Sequence, residues 1–153
     1  MQKKLLLFPL FVLVVLSITS CATTTVPTDS LSYDDFDFIE SYDEIWNRSE
    51  GTYLVYLYST SCVNCIEIKS TVLHFAATYS LHNIYFYNVF GNIDTQAKAD
   101  YLAKVGDPEV YIPALIVVID NDFDVSQTST IFYKGRTDIP EVMEKLLNGT
   151  FSF

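Results

Sequence analysis

Tyr53-Leu54-Val55-Tyr56-Leu57-Tyr58 is an unbroken run of β-favouring residues that leads straight into Cys62-Val63-Asn64-Cys65. A run with no polar residue at alternate places belongs to a central strand covered on both faces. Behind it, Cys65 to Tyr79 has helical spacing, with Ile68, Val72, Phe75 and Ala76 along one stripe. The chain must therefore bury a sheet on two sides, which is an α/β arrangement with helices on both faces. Its 153 residues allow one domain of ordinary size, and a hydrophobic fraction of 50% with 15% aromatics supplies the core.

The rest of the chain follows the same alternation. Phe36 to Ile39 reads as a first strand. Ser41 and Glu44 read as a capping box for a short helix through Ile45, Trp46 and Arg48, closed by Gly51. Ile84 to Phe90 reads as a strand, and Ala97 to Val105 as a helix stopped by Gly106-Asp107-Pro108. Ala114 to Ile119 is an apolar strand, paired with Thr130 to Tyr133 after an acidic turn. A last helix is expected with Asp138 as its cap, Pro140 near its start and Gly149 beyond its end. The expected order is βαβαβαββα. The tyrosines of the strands read as core, with hydroxyls reaching the rim.

Taken alone, C-x-x-C fits a zinc half-site, a structural disulfide or a redox pair. Zinc needs about four ligands, and only His74 and His82 remain as nitrogen donors. His74 lies about 13 Å along the helix from Cys65, too far for one tetrahedral site. A disulfide closing so short a loop contributes only about 2 kcal/mol as a staple. A sulfur at a helix start meets unpaired N–H groups and the positive end of the dipole, which lower a thiol's pKa. The redox reading is favoured, with Cys62 as attacking thiol and Cys65, one turn inside, as resolving thiol. Asp120-Asn121-Asp122-Phe123-Asp124 opens like a calcium loop, but Val125 and Ile131 occupy the glycine and glutamate places, so a solvated turn is expected.

With the strand–C-x-x-C–helix unit, an Ile112-Pro113 dipeptide before the next apolar strand, and Gly135 after the hairpin, the chain resembles the thioredoxin-like superfamily from about Ser41 to Asn148. The resemblance implies a central mixed sheet flanked by helices. It also implies a cis peptide bond at Pro113 facing the cysteines, and a partner-binding groove that includes Val63, Asn64, Ile112 and Pro113. Two departures stand out. Ser61 and Val63-Asn64 replace the tryptophan and Gly-Pro of thioredoxins proper. Tyr56 stands where that family buries an acid to take the resolving thiol's proton, and a phenol is a poor base.

The first twenty residues read as an address. Lys3 and Lys4 precede an apolar run from Leu5 to Leu16, the length of a signal-peptide core rather than a membrane span. Ile18-Thr19-Ser20-Cys21 resembles the lipobox of bacterial lipoproteins, which implies lipidation of Cys21 as the new N-terminus. The expected organisation is a signal over 1–20, a flexible Thr/Ser/Pro-rich tether over 21–33 and a thioredoxin-like domain over 34–153. Removing residues 1–20 takes away two lysines and no acid, so the net charge goes from -10 to -12. That charge argues against nucleic-acid binding, which needs basic residues against phosphate, and against electrostatic attachment to anionic lipid. Membrane attachment is expected through acyl chains on Cys21.

Two functions remain. One is a thiol–disulfide oxidoreductase, tethered outside the cytoplasm in a bacterial cell envelope, monomeric, without metal or other cofactor, and acting on cysteine-containing protein partners through Cys62 and Cys65. The other is a non-catalytic accessory or binding lipoprotein with a stable disulfide, resembling bacteriocin-transport accessory proteins.

Overall fold

Every residue of the Tyr53–Tyr58 run is buried, as its unbroken apolar pattern requires, and the run forms the central strand β1 of a mixed sheet. The computed structural model describes residues 30–91, 94–120, 122 and 131–152. Among these, β2 is Asn83–Asn88, β3 is Ala114–Val118 and β4 is Phe132–Lys134, and the strand order is β2-β1-β3-β4. β1 is parallel to β2 and antiparallel to β3, and β3 is antiparallel to β4. The helices are α1, Val63–Thr78, α2, Thr95–Val105, and α3, Gly135–Leu147. This is the thioredoxin-like mixed sheet flanked by helices.

Alternation of side chains along β1 divides the core. On one face Tyr56 and Tyr58 meet Phe86 and Tyr33, with Tyr33 and Tyr58 centroids 3.9 Å apart. On the other, Tyr53 meets Tyr85, while Tyr42 meets Tyr87 and Tyr101 of α2. Helix α1 buries Cys65, Ile68, Val72, Leu73 and Phe75, and α3 buries Ile139, Val142, Met143 and Leu146. Truncating one such aliphatic side chain to alanine costs about 2–5 kcal/mol through lost burial and the cavity left behind.

Four expectations are corrected. Among the described residues, Phe36 to Ile39 make a single bridge, from Phe38 to Phe86, with Phe86 N–H bonded to Asp37 and Ile39 N–H to Phe86. The short helix is a 3-10 turn over Asp43–Ile45; Ser41 does bond Glu44, but Tyr42 holds the cap position. Asp138 does not cap α3, which already begins at Gly135 with Lys134 as an N-cap lacking a side-chain bond. The hydroxyls of Tyr56, Tyr87 and Tyr101 stay inside the core instead of reaching the rim. A capping box missed in the sequence lies at Ser32, whose backbone and side chain exchange bonds with the turn Tyr33–Asp35. Tyr33 in this turn is buried, and Leu31 just before it packs against the same core. The acidic turn falls mostly outside the described residues, apart from Asp120 and Asp122. No helix among the described residues is long and apolar enough to cross a membrane.

Candidate functional site

The polar residues that follow β1 explain where the first cysteine stands. Ser59 is buried, and its hydroxyl accepts the Ser61 N–H at 3.2 Å and shares a hydrogen bond with the Ser61 hydroxyl at 3.0 Å. The Cys62 N–H bonds the Ser59 carbonyl at 3.3 Å, closing a turn. Cys62 is thereby set as the N-cap of α1, in extended backbone, and its Sγ accepts the Cys65 N–H at 3.2 Å. The sulfur takes the place that a serine or aspartate oxygen holds at an ordinary cap. No carboxylate stands in the first turn of α1 to oppose negative charge there. Cys62 is half-buried, Cys65 is 1% exposed, and the two are joined in a disulfide with Cα atoms 5.2 Å apart. The pair is thus asymmetric: an outside partner can approach only the first sulfur.

The opposite wall comes from the loop before β3. The Ile112-Pro113 peptide bond is cis, Pro113 is buried, and the Ile112 carbonyl oxygen lies 3.8 Å from Cys62 Sγ. In the disulfide this is a contact without a hydrogen; a reduced Cys62 thiol can donate along the same line. The Pro113 carbonyl accepts the Gly135 N–H at 2.9 Å. Gly135 has φ 84°, and a Cβ there would meet nothing within 4 Å, so glycine is needed for its backbone conformation and not for space. This bond joins the proline loop to the start of α3. An ion pair of 2.6 Å between Lys134 and Asp107 ties β4 to the segment leading into the same loop, and Arg136 pairs with Glu67 across α3 and α1.

Of the residues expected in the pair and its groove, Cys62, Val63, Asn64 and Cys65 lie at the start of α1 and Ile112 and Pro113 on the loop before β3, and the contact between them is that of Cys62 Sγ with the Ile112 oxygen. Val63 and Ile66 are 69% and 58% exposed, so apolar surface lies beside the disulfide on α1. Tyr111, not singled out in the sequence, is 43% exposed on the proline loop. Cys21 lies outside the described residues. Among those described, no group of three or more His, Cys, Asp or Glu is placed to hold a metal.

Tyr56 lies in the core with no exposed surface. Burial drives its phenol far above the ordinary value, and the neighbouring Tyr33 drives it further; burial pushes Tyr33 itself up to about 12. Both stay neutral throughout the physiological range. Tyr56 therefore cannot accept a proton from Cys65.

The fold recurs in solved structures. Mitochondrial thioredoxin 3 of Saccharomyces cerevisiae, in its oxidised form, is similar over 78% of this chain and 99% of its own, with TM-score 0.55 and 14% identity. Thioredoxin O2 of Arabidopsis thaliana, also oxidised, matches over 80% of this chain and 100% of its own, with TM-score 0.51 and 13% identity. The Malassezia sympodialis thioredoxin matches over 76% and 91%, with TM-score 0.51 and 14% identity. No family model and no curated protein sequence matches the chain. At such identities the likeness defines the fold alone: the fold is thioredoxin-like, with a C-x-x-C disulfide at the start of its first long helix.

Proposed function

We propose that the chain is a thiol–disulfide oxidoreductase acting on protein cysteines, tethered by lipid on Cys21 to the extracytoplasmic side of a bacterial membrane. The observation that carries the redox part is the asymmetry of the pair: Cys62 half-exposed and bonded to a helix-start N–H, Cys65 buried one turn inside. In the reducing direction the Cys62 thiolate attacks one sulfur of a partner disulfide, and the other partner sulfur leaves as thiolate. Cys65 then loses its proton to that thiolate or to water, attacks Cys62 Sγ, and releases the partner's second sulfur. Two electrons pass to the partner, and Cys62–Cys65 becomes the disulfide. Run backwards, the same steps oxidise a partner dithiol.

The tether rests on the sequence around Cys21, and the exposed Val63 and Ile66 suit the docking of a polypeptide. The accessory reading, a groove that binds a partner around a permanent disulfide, is favoured by one observation: a neutral Tyr56 stands where a base would speed release.

Cys65→Ser separates the two. Isolated from its own cells and run without reductant, the variant should carry proteins covalently bound through Cys62 and released by dithiothreitol. Absence of adducts, together with a wild-type disulfide that resists glutathione, would establish the accessory reading instead. Cys21→Ala should leave the chain unprocessed or shift it to the soluble fraction; unchanged processing and membrane retention would remove the tether.

A further inference from the structure

Beside the redox site, the same carboxyl end of β1 and β2 carries a cleft of about 550 Å³. It is lined by Tyr33, Phe38, Tyr58 and Tyr87 and by the acidic residues Asp34 and Glu40, and none of the described residues lining it is basic. Tyr58 ends β1 four residues before Cys62, and its carbonyl accepts the Val89 N–H at 3.0 Å, so the cleft and the disulfide are mounted on one strand end. Phe38 is 64% exposed, held at the sheet edge by its bridge to Phe86. Tyr87 is 1% exposed, and its hydroxyl has no hydrogen-bond partner among the described residues. Burial raises the pKa of the Tyr58 phenol, and the nearby Asp34 raises it further.

Aromatic faces combined with carboxylates attract an organic cation: the ring quadrupole and the negative charge act in the same direction. The fold already uses one of these rings so, since Lys69 of α1 holds its ammonium 5.2 Å from the Tyr33 centroid. We propose that the cleft is a second binding site, which takes a basic side chain of the partner protein whose cysteine meets Cys62. Arginine fits best, because its planar, weakly hydrated guanidinium stacks on rings while bonding a carboxylate. A chain with net charge -10 also favours a basic partner. The inference rests on the oxidoreductase reading for its partner and names a feature that partner must carry.

The test follows disulfide exchange between the full chain and short cysteine peptides, with arginine placed at successive positions around the cysteine and citrulline as the neutral match. At the favourable position the arginine peptide should react about fivefold faster. Phe38→Ala and Asp34→Asn, both at exposed residues, should abolish that advantage and leave the citrulline rate alone. Equal rates for both peptides, with exchange still proceeding, would overturn the cleft while sparing the redox reading. If no peptide exchanges at all, the redox reading fails, and titration with N-acetylarginine amide decides the cleft on its own. Shifts of the Phe38 and Tyr58 ring resonances, absent with the citrulline amide, keep it; no shifts overturn it.

Discussion

The two ends of the central strand are built differently. At the start of β1, tyrosines are pinned: the Tyr53 hydroxyl donates to the buried Ile45 carbonyl at 2.9 Å, and Tyr85 donates to Glu50 at 2.5 Å under the Arg48 guanidinium. At its finish, the Tyr87 hydroxyl lies in the core with no hydrogen-bond partner among the described residues, and the chain turns through Ser59, Thr60 and Ser61 to an accessible sulfur. One end spends its polar groups on locking the sheet. The other leaves apolar surface and the first sulfur of the Cys62–Cys65 disulfide open, and meets the proline loop through backbone groups. Chemistry and stability are therefore separable by mutation.

The sharpest separation is at Cys62. Cys62→Ser should abolish exchange with protein disulfides, because Cys65 is too buried to substitute, and should cost only about 2 kcal/mol of stability for so short a loop. Residual exchange read by insulin reduction would break the asymmetry. At the pinned end, Tyr53→Phe should leave the Ile45 carbonyl unsatisfied and destabilise by about 1–3 kcal/mol in urea unfolding, with exchange rates untouched. Tyr56→Phe should do neither: stability within about 0.5 kcal/mol and an unchanged rate, since its hydroxyl is neither base nor pin. A rate loss above threefold in Tyr56→Phe would give that hydroxyl a role in proton transfer.

The smallest effect concerns pH. The Tyr85 hydrogen bond, first, and the nearby Arg48 hold the Glu50 carboxyl below its ordinary range. A folded pKa below the unfolded value contributes stability that is present above the unfolded pKa and lost as pH falls through the folded one. Wild type should therefore lose part of its stability on acidification below about pH 4.5, and Tyr85→Phe should lose less over the same window, read as the melting temperature against pH. Parallel curves would remove Glu50 from the locked end.

Where a single residue pattern dictates the element, the sequence was sufficient. The buried run of β1, the helix behind Cys62, and the stop at Gly106, which adopts φ 72° at the end of α2, all follow from burial or backbone freedom. The disulfide end was legible too, because cysteines before a helix and proline before a strand leave few alternatives. What was not legible depends on pairing across the chain. Phe36 to Ile39 carries strand residues but pairs, among the described residues, through a single bridge to Phe86. Asp138 looked like a cap, yet α3 starts earlier because the Gly135 N–H is held by the distant Pro113 carbonyl. The cleft had a faint signal, the rings and acid of Tyr33, Asp34 and Phe38, which has no meaning until the sheet edge gathers them beside Tyr58 and Tyr87.

The account stands on the Cys62 sulfur being activated by its place at the start of α1. Alkylation of the reduced chain by iodoacetamide across pH, with Cys65→Ser to isolate the first thiol, measures this directly. A midpoint clearly below the value of about 8.5 for a free thiol is expected. A midpoint at or above that value would contradict it, and leave the helix start without influence on the chemistry.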